Sequence, residues 1–118
     1  MSRLIEALQE FALQCNTNSR LRQMNKGWTR DIAIKATNTD GAVIEQCRLV
    51  SDDGLVRVEQ GELHGVDMEI TASVDILVSV FSGQMSPTEP YNAGDLLVHG
   101  HQDDIMRLDI LTLLIWGQ

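Results

Sequence analysis

"SGQMSPTEPYNAGDLLVHG", from Ser82 to Gly100, decides how this chain folds. It holds both prolines, Pro87 and Pro90, and three of the nine glycines, Gly83, Gly94 and Gly100. Ser86-Pro87-Thr88-Glu89 reads as a capping box with proline at the first helical position. Pro90 removes a second backbone donor, which limits this helix to a turn or two. Gly94 ends it, and "DLLVHG" then alternates as a strand. The stretch is a short, rigid corner that carries Tyr91 between one helix and one strand.

Helical period flanks the corner on both sides. Upstream, Ser73 is placed to cap a helix, Asp75 suits its positive end and Gly83 its C-terminal turn. Val74, Leu77, Val78 and Phe81 make the buried stripe of that helix. Downstream, a last helix is expected from about Gln102 to Trp116, with Asp103 and Asp104 in its first turn. Beyond them only Arg107, Asp109 and Thr112 are polar, and these three do not gather on one face. A helix apolar nearly all round is buried on several sides or faces something outside the chain. Two readings follow: a core helix with a dimer contact, or a helix with the sheet on one side and a hydrophobic ligand on the other.

The first half alternates helix and strand signals. Residues 2 to about 14 form an amphipathic helix capped by Ser2, with Leu4, Ile5, Leu8, Phe11 and Ala12 on one face. A polar loop follows, with a short helical piece at Arg20 to Met24. "RDIAIKA" turns Ile32, Ile34 and Ala36 one way and Asp31 and Lys35 the other. "NTDG" and "SDDG" are Asp-Gly turns around a second strand, "AVIEQCRLV", and before a third, "LVRVEQGEL". "HGVD" breaks the pattern, and "DMEITAS" is a fourth strand with Met68, Ile70 and Ala72 on one side. The expected arrangement is an antiparallel meander of these four, with "DLLVHG" as a fifth strand.

Composition bounds the function. With 118 residues, 43% hydrophobic and 22% charged, the chain makes a single domain, 1–118, with a proper core. Aromatics are 4% of it, so that core is aliphatic and Met-filled. The net charge of −8 and a pI near 4.6 argue against nucleic acid as a partner. Arg3, Arg20, Arg22, Lys26, Arg30 and Lys35 do cluster in the first third, as a local basic patch or as a solvated helix end and loop. Cys15 and Cys47 lack CxxC spacing and read as small buried hydrophobes of a reduced intracellular protein. No signal-peptide pattern is present, and no apolar run reaches the roughly 18 residues that span a bilayer. A cytoplasmic protein with at most transient membrane contact is expected.

Catalytic and metal chemistry find little support. His99 and His101 are two apart, with His64 and Asp103 as conceivable neighbours, but loop-end histidines are commonly just solvated. Ser73 and Asp75 fit helix capping better than a nucleophile and its base. Glu45, Asp52 and Asp53 read as strand-surface and turn carboxylates. No enzyme, no metal and no cofactor are expected.

The run from Gly83-Gln84-Met85-Ser86-Pro87 to Gly94-Asp95-Leu96-Leu97-Val98-His99-Gly100 resembles the signature half of the sterol carrier protein 2 family, a small non-specific lipid-binding domain. Met68, Ile70, Thr71, Ser73, Asp75, Tyr91 and the corner residues fall in matching places without gaps, over about residues 55–115. Asp95 stands where members often carry a basic residue, and Pro90 where a small helix former is usual. The resemblance implies an α+β fold: a five-stranded, mainly antiparallel sheet covered on one face by helices, with an apolar cavity between. It also implies non-enzymatic binding or transfer of a fatty acyl chain, phospholipid, isoprenoid quinone or sterol, at about 0.8 kcal/mol per buried CH₂. Phe81, Met85, Tyr91, Ile105, Leu108, Leu111 and Leu114 are the candidate lining, with Trp116 near a mouth. The alternative is an accessory module, a homodimer or partner-binding domain that docks through its apolar C-terminal helix on a lipid- or quinone-metabolising assembly.

Overall fold

The computed structural model describes residues 2–60 and 65–116. Helix α1 (Arg3–Thr17) starts where Ser2 accepts a hydrogen bond from the Ile5 amide at 3.0 Å. Asn18 closes α1 and opens α2 (Ser19–Met24) by accepting from the amides of Arg20 and Leu21. Strands β1 (Arg30–Thr37), β2 (Val43–Asp52), β3 (Leu55–Glu59) and β4 (Met68–Ser73) follow. Then come α3 (Val74–Phe81), α4 (Thr88–Ala93), β5 (Leu97–His99) and α5 (Gln102–Trp116).

The sheet has five strands in the order β3-β2-β1-β4-β5, and β1 and β4 run parallel. This corrects the four-strand meander, which would have set β4 beside β3. β4 instead pairs with β1 in the register Ile32↔Met68, Ile34↔Ile70 and Ala36↔Ala72. The reason lies in β1, whose Ile32, Ala33, Ile34 and Ala36 are all buried. None of the β1 residues is exposed, and a strand so enclosed belongs at the centre, with a neighbour on each side. The remaining pairs are antiparallel.

One sheet face lies under the helices. Ile32 and Ile34, Cys47 and Leu49, Val56, and Met68 and Ile70 meet Leu4, Leu8, Phe11, Leu77 and Phe81 in one core. Phe11 and Phe81 pack edge to face with centroids 5.2 Å apart, a favoured aromatic geometry. The other face is polar: Lys35 bonds Glu69 at 2.6 Å, and Arg48 pairs with Asp31 and Glu59. The basic cluster of the first third disperses, since Arg3 pairs with Asp75, Arg30 with Asp104 and Lys35 with Glu69.

The corner differs from its expected capping box. Helix α4 begins at Thr88, Pro87 is its N-cap, and no side-chain cap bond forms there. Ser86 accepts weakly from the Thr88 amide at 3.3 Å. Pro90 sits in the first turn, where an N–H has no helical acceptor, so a proline is tolerated. Gly94 ends the helix at φ 82°, a left-handed backbone that suits glycine. The Pro90 carbonyl then accepts from the amides of Asp95 and Leu96, which turns the chain into β5.

Candidate lipid-binding site

The site forms where the corner, β4–β5 and α5 meet. Ser73 caps α3 through the Ile76 amide at 3.2 Å and aims the helix so that Val80 and Phe81 end beneath α5. Tyr91 reaches the same space from α4, and Ile70, Leu96 and Val98 form its floor. Helix α5 closes it with Ile105, Leu108, Asp109 and Thr112, spaced i, i+3, i+4 and i+7 on one stripe, and with Met106. Pro87 and Thr88 complete the wall. The cavity measures about 140 Å³ and meets solvent where Tyr91, Met106 and Asp109 are exposed.

A second cavity, of about 310 Å³, adjoins it. It shares Pro87, Thr88, Asp109 and Thr112 with the first and extends along Gly83, Met85, Leu113 and Trp116. Together the two reach the roughly 300–1,000 Å³ of ordinary small-molecule pockets, whereas the apolar one alone does not.

Helix α5 is pinned at both ends across these cavities. At its start the buried Asp104 accepts from the Trp28 indole N–H at 3.0 Å and from Arg30 Nε at 2.9 Å. Burial pushes the Asp104 carboxyl up, but those two hydrogen bonds, the Arg30 charge and a contribution from His101 hold it below its ordinary value. Arg107 donates to the Met24 carbonyl and to Asn25 and lies 5.1 Å from the Trp28 ring centroid. At its end the Trp116 indole donates to the Phe81 carbonyl at 3.0 Å. Its side chain presses on Gly83, where an added Cβ would lie 2.1 Å from Trp116 Cβ.

The expected lining residues divide. Phe81, Tyr91, Ile105 and Leu108 line the first cavity, and Met85 and Trp116 the second. Leu111 is wholly buried in the core and lines neither; Leu114 is partly exposed and also lines neither. Pro87, Thr88, Asp109 and Thr112, which touch both cavities, were missed in the sequence. The stripe through Ile105 and Leu108 carried the signal for the last two, but their polarity hid it. Asp109 and Thr112 share that face while Arg107 turns away, to Trp28, so the three do not gather on one face, as expected.

Among the described residues neither conceivable polar site assembles. Among the described residues no group of three His, Cys, Asp or Glu side chains could hold a metal ion, and His64 lies outside the described residues. Asp53 accepts from the Gly27 amide, Asp52 lies near Arg57, and Glu45 accepts from Ser2, so these carboxylates serve local structure. Among the described residues no helix is long and apolar enough to cross a membrane.

Fold and site together define a class: a small α+β domain with an apolar cavity between its sheet and the helices on one face. The chain belongs to the SCP-2 sterol transfer family, whose profile matches residues 8–111 and so takes in most of the N-terminal half as well. Its fold is similar to the sterol carrier protein domain 2 of Helicoverpa armigera, at 17% identity, with 98% of this chain and 90% of that one covered and a TM-score of 0.74. The sterol carrier protein 2 of Aedes aegypti, solved in complex with the C16 fatty acid palmitate, is 14% identical, covers 98% and 99%, and has a TM-score of 0.71. A palmitated SCP2L2 protein of the same mosquito is 13% identical over 93% and 91%, with a TM-score of 0.66. No curated protein matches the chain in sequence.

Proposed function

We propose that this chain binds a lipid by its apolar tail between the sheet and α5, and carries it without altering it chemically. The observation that supports this most is the lining of the first cavity, apolar except for Thr88, Asp109, Thr112 and the Tyr91 hydroxyl on its α4 and α5 sides. Burial of a tail there is favourable at about 0.8 kcal/mol per CH₂ and nearly indifferent to tail type. Membership of a lipid-transfer family and the palmitate complex of the mosquito relative favour the same reading. A fatty acyl chain, a phospholipid, an isoprenoid quinone and a sterol all have the required apolar body.

Native mass spectrometry of the freshly purified protein, with solvent extraction and lipid identification, tests this. A stoichiometric apolar adduct is the expected result. A bare mass that persists after incubation with fatty acid, phospholipid and quinone refutes the carrier reading. A second reading draws on α5, which leaves Met106, Ile110 and Leu113 exposed. In it the helix docks on a partner or a second copy, and Ile110→Glu abolishes an association that lipid does not affect.

A further inference from the structure

The polar fringe of the site is chemically one-sided. Asp109, Thr88 and Thr112 stand where the two cavities meet, Tyr91 borders the first and Ser86 the second, and among the described residues no Lys, Arg or His lines either. Asp109 is exposed, and among the described residues its carboxylate joins no ion pair and accepts no hydrogen bond. The Thr112 hydroxyl donates to the Asp109 backbone carbonyl at 2.9 Å, so its one proton is already committed. One helical turn to either side, Ile105, Met106, Thr112 and Leu113 provide no compensating charge.

A tail seated against Phe81, Ile105 and Leu108 leaves its head beside this uncompensated carboxylate. Building on the carrier reading, we propose that Asp109 is the residue that selects the head group: it favours lipids ending in an uncharged hydrogen-bond donor, such as a long-chain alcohol, over those ending in a carboxylate. A hydroxyl can donate to Asp109 in a charge-assisted bond, which is stronger than a neutral one. A carboxylate has no proton to donate and meets a like charge at a mouth only partly open to water, where repulsion is less screened than in bulk. The net charge of −8 adds to that repulsion.

The test compares hexadecanol with palmitate, which share one chain length, both delivered from cyclodextrin at neutral pH and titrated against the wild-type chain and two variants. Wild type is expected to bind the alcohol about tenfold more tightly, and raised salt to narrow the gap by screening. Asp109→Asn keeps an acceptor but removes the charge, so palmitate gains affinity and the ratio shrinks to roughly twofold or threefold. Asp109→Lys reverses the preference. Circular dichroism verifies that both variants fold, as expected for an exposed position. If both lipids bind and their ratio is the same in all three proteins, head-group selection by Asp109 is wrong while the carrier reading stands. If neither lipid binds the wild type, the carrier reading falls and this inference with it.

Discussion

Gly83→Ala tests how α5 is held down. The backbone at Gly83 has φ 80°, a left-handed conformation that costs an L-residue about 1–2 kcal/mol. A Cβ there would also lie 2.1 Å from Trp116 Cβ and 2.2 Å from Trp116 Cγ, against roughly 3.5–4.0 Å for carbon atoms in contact. Trp116 must therefore move by more than a side-chain adjustment, and its hydrogen bond to the Phe81 carbonyl is lost, worth about 1 kcal/mol. With some loss of packing, the total is about 3–4 kcal/mol. Urea unfolding followed by far-UV circular dichroism measures it, alone and combined with Trp116→Gly, which removes the opposing Cβ. In that background only the backbone cost remains, so the coupling is about 2 kcal/mol. Additive effects of the two substitutions would refute the close packing of Gly83 on Trp116 as the reason for a glycine there.

Other perturbations follow from the same geometry. Leu108→Trp fills the first cavity from its α5 wall, so it should block lipid uptake while the sheet stays folded; unchanged binding by a folded variant would misplace the tail site. The same change at Leu111 probes core overpacking instead, because that side chain is wholly buried. Asp104→Ala strands the Trp28 indole N–H and should cost about 1–3 kcal/mol in urea unfolding. The Asp104 carboxyl titrates lower in the folded chain than in the unfolded one, so its contribution is complete above the unfolded value of about 3.9 and is lost as pH falls through the folded value. Asp104→Asn should accordingly flatten the acid limb of the stability–pH curve, and an unchanged limb would contradict the assignment. Burial pushes the Cys15 thiol up to about 12, and burial with the Glu45 charge pushes Cys47 up to about 11. Neither should react with a thiol reagent at neutral pH until the chain unfolds, and rapid labelling of the native protein would show the core to be open.

What the sequence determined by itself is local. Ser2 and Ser73 cap helices as expected because capping is settled within three residues. Gly94 ends α4 in the left-handed region, and α5 runs from Gln102 to Trp116 as its pattern predicts. The two Asp-Gly turns join β1 to β2 and β2 to β3, since a tight turn admits only the adjacent strand as partner. The corner motif also carried the family, through residues that constrain the backbone more than they fill space.

Tertiary structure decided the rest. A period of two marks the face of a strand but not its neighbour, so the parallel seat of β4 beside β1 waited on the enclosure of β1 at the centre of the sheet. Likewise, a helix apolar nearly all round does not announce which side faces a cavity. The rotation of α5 is set by Asp104 on Trp28 and Arg30, 76 and 74 residues away in the chain, and by Trp116 on Phe81, 35 residues away. Those distant anchors turn Leu111 into the core and bring Asp109 and Thr112 to the cavity. Hydrophobic pattern alone favours neither rotation strongly, so polar contacts between distant segments choose between them.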